Sequence, residues 1–93
     1  MKPRITLNLT ASGELEISLN EAGRDLLVRE LNALSQTSEH FHFAPSDLGG
    51  EVEVSSRAYR PTDKVIEFGK VLFRTDEWDK QYYPHVIDDG SQN

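Results

Sequence analysis

Apolar and polar residues alternate along the first part of the chain with the period of two that is typical of a β-strand. The alternation covers residues 4–10, stops at Ala11, Ser12 and Gly13, and resumes over residues 14–19. A three-residue loop ending in glycine suits a tight turn with a left-handed last residue. We therefore predict a β-hairpin with its apolar row on one side and its polar row in solvent. The predicted cross-strand pairs are Ile5 with Leu19, Leu7 with Ile17 and Leu9 with Leu15.

A helical period follows the hairpin and predicts a helix over residues 21–35. Asn20 is a suitable N-cap, and Glu21 places a negative charge in the positive first turn. Gly23 weakens a helix interior, unless it allows the helix to approach the sheet closely. The polar residues from Ser35 onward end the pattern. The predicted inward positions are Ala22, Leu26, Leu27, Leu31 and Leu34.

Alternation returns over residues 39–43 and 51–55, and a loop containing Pro45 and two glycines separates the two runs. We predict that they form an antiparallel hairpin with both apolar rows facing the core. The predicted pairs are Phe41 with Val54, Phe43 with Val52 and, on the outer face, His42 with Glu53.

Residues 65–74 form a long β-prone run whose apolar positions change phase at Gly69, so we predict a single strand with a bulge there. Thr75 is a suitable cap for a short helix that Pro84 ends. We expect residues 88–93 to be a disordered tail. The whole pattern predicts one α+β domain over residues 1–87, with a mostly antiparallel sheet of about five strands in the order ββαβββ. One main helix covers one face of this sheet.

Composition narrows the possible functions. The 93 residues include no cysteine, which excludes disulfides, thiolate nucleophiles and cysteine-ligated zinc. The net charge of −6 argues against binding to a nucleic-acid backbone, which requires clustered lysine and arginine. Neither an apolar leader nor a run of about 18 apolar residues is present, so we expect a cytoplasmic protein without membrane contact.

Two histidines on one predicted strand face, His40 and His42, raise the possibility of a metal site. The third ligand would be Glu53, Glu51 or His85. We favour the simpler interpretation that these histidines are polar positions of a two-sided strand, with His42 held by Glu53. No pair of carboxylates stands out for acid–base catalysis, and no nucleophile or phosphate-binding motif is present. We therefore expect a non-enzymatic protein without a cofactor.

The C-terminal segment combines large aromatic residues with dense negative charge. Residues 75–93 carry −4 of the total charge of −6. Aromatic side chains supply contact area and acids attract a basic partner, so this segment is a candidate protein-binding surface together with the polar face of the sheet. The alternative is that the aromatic residues close the core. The predicted partner-binding residues are Trp78, Tyr82, Tyr83, Asp76, Glu77, Asp79, His40, His42 and Glu53.

The order of two strands, a leucine-rich helix and a His-x-His strand resembles a family of small immunity proteins from bacterial polymorphic toxin systems. The matching residues are Leu26, Leu27, Leu31, Leu34 and the run from Glu39 to Phe43, within residues 14–55. The resemblance implies a protein that binds and blocks a cognate toxin, and it does not indicate which toxin. The alternatives are a metal-binding domain built on the His-x-His strand, and a homodimer formed through an exposed sheet edge or face. The chain itself would accordingly be a monomer or a homodimer.

Overall fold

The computed structural model describes residues 1–87 and has the predicted α+β fold. Its strands form two three-stranded sheets, with the order β2-β1-β5 in the first and β4-β3-β6 in the second, instead of one sheet of about five strands. The predicted tail, residues 88–93, lies outside the described part of the chain. The elements are β1 (Ile5–Leu9), β2 (Leu15–Leu19), α1 (Glu21–Asn32), β3 (His40–Ala44), β4 (Val52–Glu53), β5 (Lys64–Val65), β6 (Gly69–Leu72), α2 (Asp76–Tyr82) and a 3-10 turn (Pro84–Val86).

The first hairpin forms with the predicted register. Strands β1 and β2 are antiparallel, and Leu7 lies opposite Ile17. Gly13 closes the turn with a φ of +90°, the left-handed conformation that favours glycine. The Thr10 N–H donates to the Glu14 carbonyl oxygen at 2.9 Å. Local alternation and turn chemistry are therefore sufficient to define this hairpin.

Helix α1 begins as predicted, because the Asn20 side chain accepts a hydrogen bond from the Gly23 N–H at 2.7 Å. Gly23 is buried, and a Cβ atom there would lie 2.6 Å from the Arg4 carbonyl oxygen. The glycine thus allows the helix to pack directly against β1. The helix ends at Asn32, three residues earlier than predicted, and Leu31 is exposed instead of facing the core.

The prediction of an antiparallel hairpin for β3 and β4 is wrong, since the two strands pair in parallel. Phe43 does lie opposite Val52, but Ala44 then pairs with Glu53. Gly49 has a φ of +76°, and Gly50 passes so close to β3 that a Cβ atom would lie 2.9 Å from the Ala44 Cβ. This close approach lets the chain return beside β3 and continue in the same direction. The predicted pairs Phe41 with Val54 and His42 with Glu53 are therefore absent from the ladder.

The predicted single strand over residues 65–74 is divided between the two sheets. β5 pairs with β1, and the Ile66 N–H donates to the Leu7 carbonyl oxygen at 2.8 Å. Residues 66–68 then cross to the second sheet, where Gly69 lies opposite Phe43 as the first residue of β6. The phase change at Gly69 marks this crossing instead of a bulge. As a result, Phe68 is exposed while Ile66 packs against the core.

The core lies where β1, α1 and the second sheet meet. Half-buried leucines of α1 pack against it, and the Ser55 N–H donates to the Ile5 carbonyl oxygen at 2.8 Å, which joins the end of β4 to β1. Its buried hydrophobic cluster is Ile5, Leu7, Phe41, Val52 and Val54.

The polar face of β1 is covered, contrary to the prediction of a strand with one solvated side. Thr6 is 1% and Asn8 0% exposed. The side chain of Arg60, in the loop before β5, is bonded to Glu16, the cross-strand neighbour of Asn8, and to Asp63. This ion pair network holds the loop across the polar face. The Asn8 amide has no hydrogen-bond partner among the described protein atoms.

The apolar row of β2, predicted to face inward, is exposed at Leu15, Ile17 and Leu19. β2 is the edge of its sheet, and the start of α1 packs against the start of β1 at Ile5. The radius of gyration is 16.0 Å, against about 12 Å for a compact domain of this length. The elongated shape leaves a large part of the apolar surface outside the core.

Candidate protein-binding site

The cap and the first-turn residues of the C-terminal helix α2 stabilise its N-terminal end. The Thr75 side chain accepts a hydrogen bond from the Trp78 N–H at 3.1 Å, and three acids occupy the first turn, where the helix dipole favours negative charge. The helix ends before Pro84, which begins the 3-10 turn. These features confirm the predicted short helix. We refer to residues 75–87, comprising α2 and the 3-10 turn, as the C-terminal arm.

The structure brings the three predicted aromatic residues together. The Trp78 ring centroid lies 4.8 Å from that of Tyr82 and 5.5 Å from that of Tyr83. The Arg74 guanidinium lies 4.3 Å from the Trp78 ring centroid, in a cation–π contact. Tyr83 also contacts His85 edge to face, with 6.1 Å between centroids. The arm therefore carries a continuous aromatic cluster held at one end by arginine.

Arg74 also attaches the arm to the second sheet. Its Nη1 atom lies 3.6 Å from Glu39 Oε1, and the Phe73 N–H donates to the Glu39 carbonyl oxygen at 2.6 Å. Beyond this attachment, α2 packs mainly against the 3-10 turn. A hollow of about 320 Å³ separates α2 from the segment that follows α1, and Gln36, Trp78 and Gln81 are among the residues that line it.

Most of the arm surface is open to solvent. Tyr82 is 56% and Tyr83 50% exposed, whereas Trp78 is half-buried. Asp76 and Glu77 are exposed on the same short helix. The side chains that pack against the core cluster do not include the three aromatic residues of the arm. The arm thus presents aromatic surface beside negative charge.

The two histidines of β3 lie together on the outer face of the second sheet. Their rings are 4.9 Å apart, edge to face. The backbone N–H of His42 donates to Glu51 Oε1 at 2.7 Å, and this bond holds the pKa of the Glu51 carboxyl below its ordinary value of 4.5. His42 Nδ1 lies 3.5 Å from the same oxygen. Within residues 1–87, no three histidine or acidic side chains are placed to hold one metal ion.

Glu53 is separate from the histidines. Its carboxylate lies 3.4 Å from Lys2 Nζ, because the parallel pairing of β4 places Glu53 beside Ala44. The acid that contacts His42 is Glu51 instead. His40 follows Glu39, the residue that contacts Arg74 at the start of the arm. The predicted set therefore divides into the arm cluster, the histidine pair and Glu53, which is paired with Lys2.

Sequence reasoning missed the residues that attach the arm. Arg74 precedes Trp78 by four positions, a spacing that brings side chains together when it falls within a helix. Arg74 lies just outside α2, so this signal is weak. Nothing in the local pattern indicated the contact between Arg74 and Glu39, which are 35 positions apart.

We compared the chain with family models, curated proteins and solved structures, and found no match to any of them. Among the described residues, no helix has the length and apolar character needed to cross a membrane.

Proposed function

We propose that this protein binds a basic protein partner through its C-terminal arm and has no catalytic activity of its own. The observation that carries the proposal is the exposed aromatic cluster of Trp78, Tyr82 and Tyr83 on a helix with acids in its first turn. Large aromatic residues dominate the binding energy of many protein interfaces. The arm combines these residues with a charge that selects the partner.

The aromatic side chains of the arm contact one another and Arg74 within the single chain. Mutual contacts and the Arg74 guanidinium restrict Trp78, and the Thr75 cap fixes the first turn of α2. Side chains held in place lose less conformational entropy on association, so more of their contact energy contributes to affinity. Tyr82 and Tyr83 remain about half exposed and are therefore available for contact.

The acids determine which sign of charge the partner surface should carry. Asp76, Glu77 and Asp79 lie in the first turn of α2, and Lys80 is the basic residue of its last turn. A concentrated negative surface accelerates encounter with a positive one and disfavours acidic proteins. The outer face of the second sheet, with His40 and His42, extends from the point where Glu39 contacts Arg74 and would form the rim of the same interface.

The finer form of the proposal is an immunity protein that neutralises a basic toxin in the cytoplasm. It is supported by the resemblance over residues 14–55, and the arm lies outside that range. In this form the acidic arm is the part that selects the toxin, and the resembling segment supplies the scaffold.

The test compares two variants with the same change in net charge. The arm variant carries Asp76→Asn, Glu77→Gln and Asp79→Asn. The control carries Glu21→Gln, Asp25→Asn and Asp47→Asn, three exposed acids outside the arm, of which Glu21 also lies in the first turn of a helix. Each tagged protein is used to capture partners from its native cell extract at low and high salt, and captured proteins are identified by mass spectrometry.

We expect the wild type and the control to retain one basic protein that is released at high salt, and the arm variant to lose it. With the purified partner, association of the arm variant should be at least about tenfold slower at low salt. Equal binding of the arm variant and the control would contradict the role of the arm, and capture of an acidic partner would contradict the charge argument. A third variant, Trp78→Ala, should weaken binding at every salt concentration at which the wild type still binds.

A further inference from the structure

We propose that two copies of this chain associate through the free edge of β2, with Ile17 on the two-fold axis. The two strands pair in antiparallel fashion and join the two first sheets into one six-stranded sheet with the order β5-β1-β2-β2-β1-β5. The surface concerned lies in the first sheet, whereas the C-terminal arm follows the second, so the dimer is independent of the proposed partner.

The hydrogen bonds of the hairpin show which backbone groups face the edge. The Thr10 N–H donates to Glu14, and the Asn20 N–H donates to Arg4, so both are hydrogen-bonded pairs. Such pairs alternate along an antiparallel ladder, which makes Glu16 and Ser18 the bonded residues in between. The N–H and C=O groups of β2 that point away from β1 therefore belong to Leu15, Ile17 and Leu19.

The other side of β1 agrees with this assignment. The carbonyl oxygens of Ile5 and Leu7 lie opposite Leu19 and Ile17 and accept hydrogen bonds from Ser55 and Ile66 on the side away from β2. Three consecutive outward positions of β2 thus offer a donor and an acceptor each. Pairing two copies about Ile17 would form hydrogen-bonded pairs at all three positions.

The sequence of β2 is complementary to itself in this register. Ile17 faces Ile17 of the second copy, and Leu15 faces Leu19, so all the apolar side chains lie on one face. On the other face, Glu16 faces Ser18, which avoids opposing like charges. Glu16 is also in contact with Arg60 within its own chain. The negative charge that Glu16 places at this edge is therefore offset by Arg60 of the same chain.

Apolar side chains also lie beside the edge, together with the charged residues Glu21 and Arg24. Leu15 is 58%, Ile17 50% and Leu19 39% exposed. Arg24 of α1 lines a hollow with Ile17 and Leu19, and Val28 and Leu31 continue the same stripe of the helix with exposures of 50% and 44%. Antiparallel pairing across the edge places the α1 helices of both copies on the same face of the joined sheet. Each stripe would then approach its symmetry mate over the strand pair.

The edge of β2 has little protection against pairing with a second copy, and the area of a stable interface requires a contribution from α1. A stable interface takes about 800 Å² from each partner, about an eighth of the 6718 Å² surface. A five-residue strand is only about 17 Å long, so the α1 stripe has to contribute. Exposed edges are normally protected by charged side chains, especially lysine, or by proline or a bulge. The other edge of comparable length, β6, contains Lys70, whereas the one charged residue of β2 is Glu16, which is paired with Arg60 of its own chain.

The first test measures mass in solution by light scattering over a range of concentrations. The measured mass of the full chain should rise with concentration from 10.6 kDa to about 21 kDa. The mass of Ile17→Lys should remain at 10.6 kDa, because this substitution places two like charges on the two-fold axis. Leu48→Lys is the control, because Leu48 is 60% exposed in the turn before β4. This control should dimerise like the wild type. A wild type that stays monomeric up to about 1 mM, or an Ile17→Lys variant that dimerises normally, would overturn the proposal.

The second test uses the absence of cysteine from the chain. Hydrogen-bonded partners have Cα atoms about 5.5 Å apart, within the range that a disulfide bridges. Under mild oxidation, Ile17→Cys should form a covalent dimer. Ser18→Cys should not, because it lies diagonally about 7–8 Å from its symmetry mate. Equal cross-linking of the two variants would overturn the register even if a dimer exists. Circular dichroism of each variant confirms that the fold is retained.

Discussion

The substitution Gly23→Ala should destabilise this protein although it favours a helix. In an ordinary helix interior, alanine is better than glycine by up to about 1 kcal/mol. Here the added Cβ atom would lie 2.6 Å from the Arg4 carbonyl oxygen and 3.0 Å from Ile5 Cγ1. Ordinary contact begins near 3.4 Å, so the start of α1 must move away from β1 by about 0.8 Å.

The magnitude follows from what this movement disturbs. Inserting a methyl group into a close contact costs about 1–3 kcal/mol. The shift also stretches the hydrogen bonds between Asn20 and Arg4, which are 2.9 and 3.1 Å long and contribute about 1 kcal/mol each. The gain in helix propensity, up to about 1 kcal/mol, offsets the energy lost when these hydrogen bonds are stretched, and the cost of the close contact remains. The free energy of unfolding should therefore fall by about 2 kcal/mol, and Tm by roughly 8–16 °C.

Thermal and urea unfolding followed by circular dichroism measure this change. Asp25→Ala, an exposed position two residues further along α1, is the control and should stay within about 0.5 kcal/mol of the wild type. A Tm for Gly23→Ala equal to or above that of the wild type would show that α1 does not pack on β1 through this glycine. It would also remove the physical reason for the orientation of α1 over the core.

Three further predictions concern single side chains. Asn8→Leu should raise the free energy of unfolding, measured in urea, by about 1–3 kcal/mol. The reason is that the buried Asn8 amide has no partner among the described protein atoms, and a loss of stability would contradict this prediction. Thr75→Ala should destabilise α2 by about 1 kcal/mol and reduce the hydrogen-exchange protection of the Trp78 backbone N–H. Thr75→Ser should preserve this protection. Since the pKa of Glu51 is lowered from 4.5, the stability contributed by its contact with His42 is complete above pH 4.5 and is lost as pH falls through the lowered pKa. An NMR titration of Glu51 should have its midpoint below 4.5, and a midpoint at or above 4.5 would refute this.

The parts of the fold that could be predicted from the sequence depend on neighbouring residues. The register between β1 and β2 follows from alternation and Gly13, and both helix starts follow from the side chains of Asn20 and Thr75. In each case the deciding contact joins residues a few positions apart, or residues brought together by one turn. Such contacts leave a readable pattern of residue types.

The direction of β4 could not be predicted in this way. A loop with proline and two glycines is compatible with an antiparallel hairpin, which is the usual result of a short connection. Parallel pairing arises because Gly50 can pass against Ala44, and this contact depends on the shape of β3 and not on any period in the sequence. In the parallel arrangement Glu53 pairs with Ala44 instead of His42, and Glu51 is the acid that contacts His42. One misassigned strand direction was enough to change the composition of a candidate site.

Alternation indicates which residues of a strand share a face, but not whether that face is covered. In β1 both faces are buried, the apolar one by α1 and the second sheet, and the polar one by the loop that contains Arg60. In β2 the apolar face has the same pattern, yet Ile17 remains half exposed at the free edge of its sheet. An amphipathic strand with an uncovered apolar row is stabilised when another surface covers it. The self-complementary order of side chains in β2 makes a second copy of the same strand the surface that fits it.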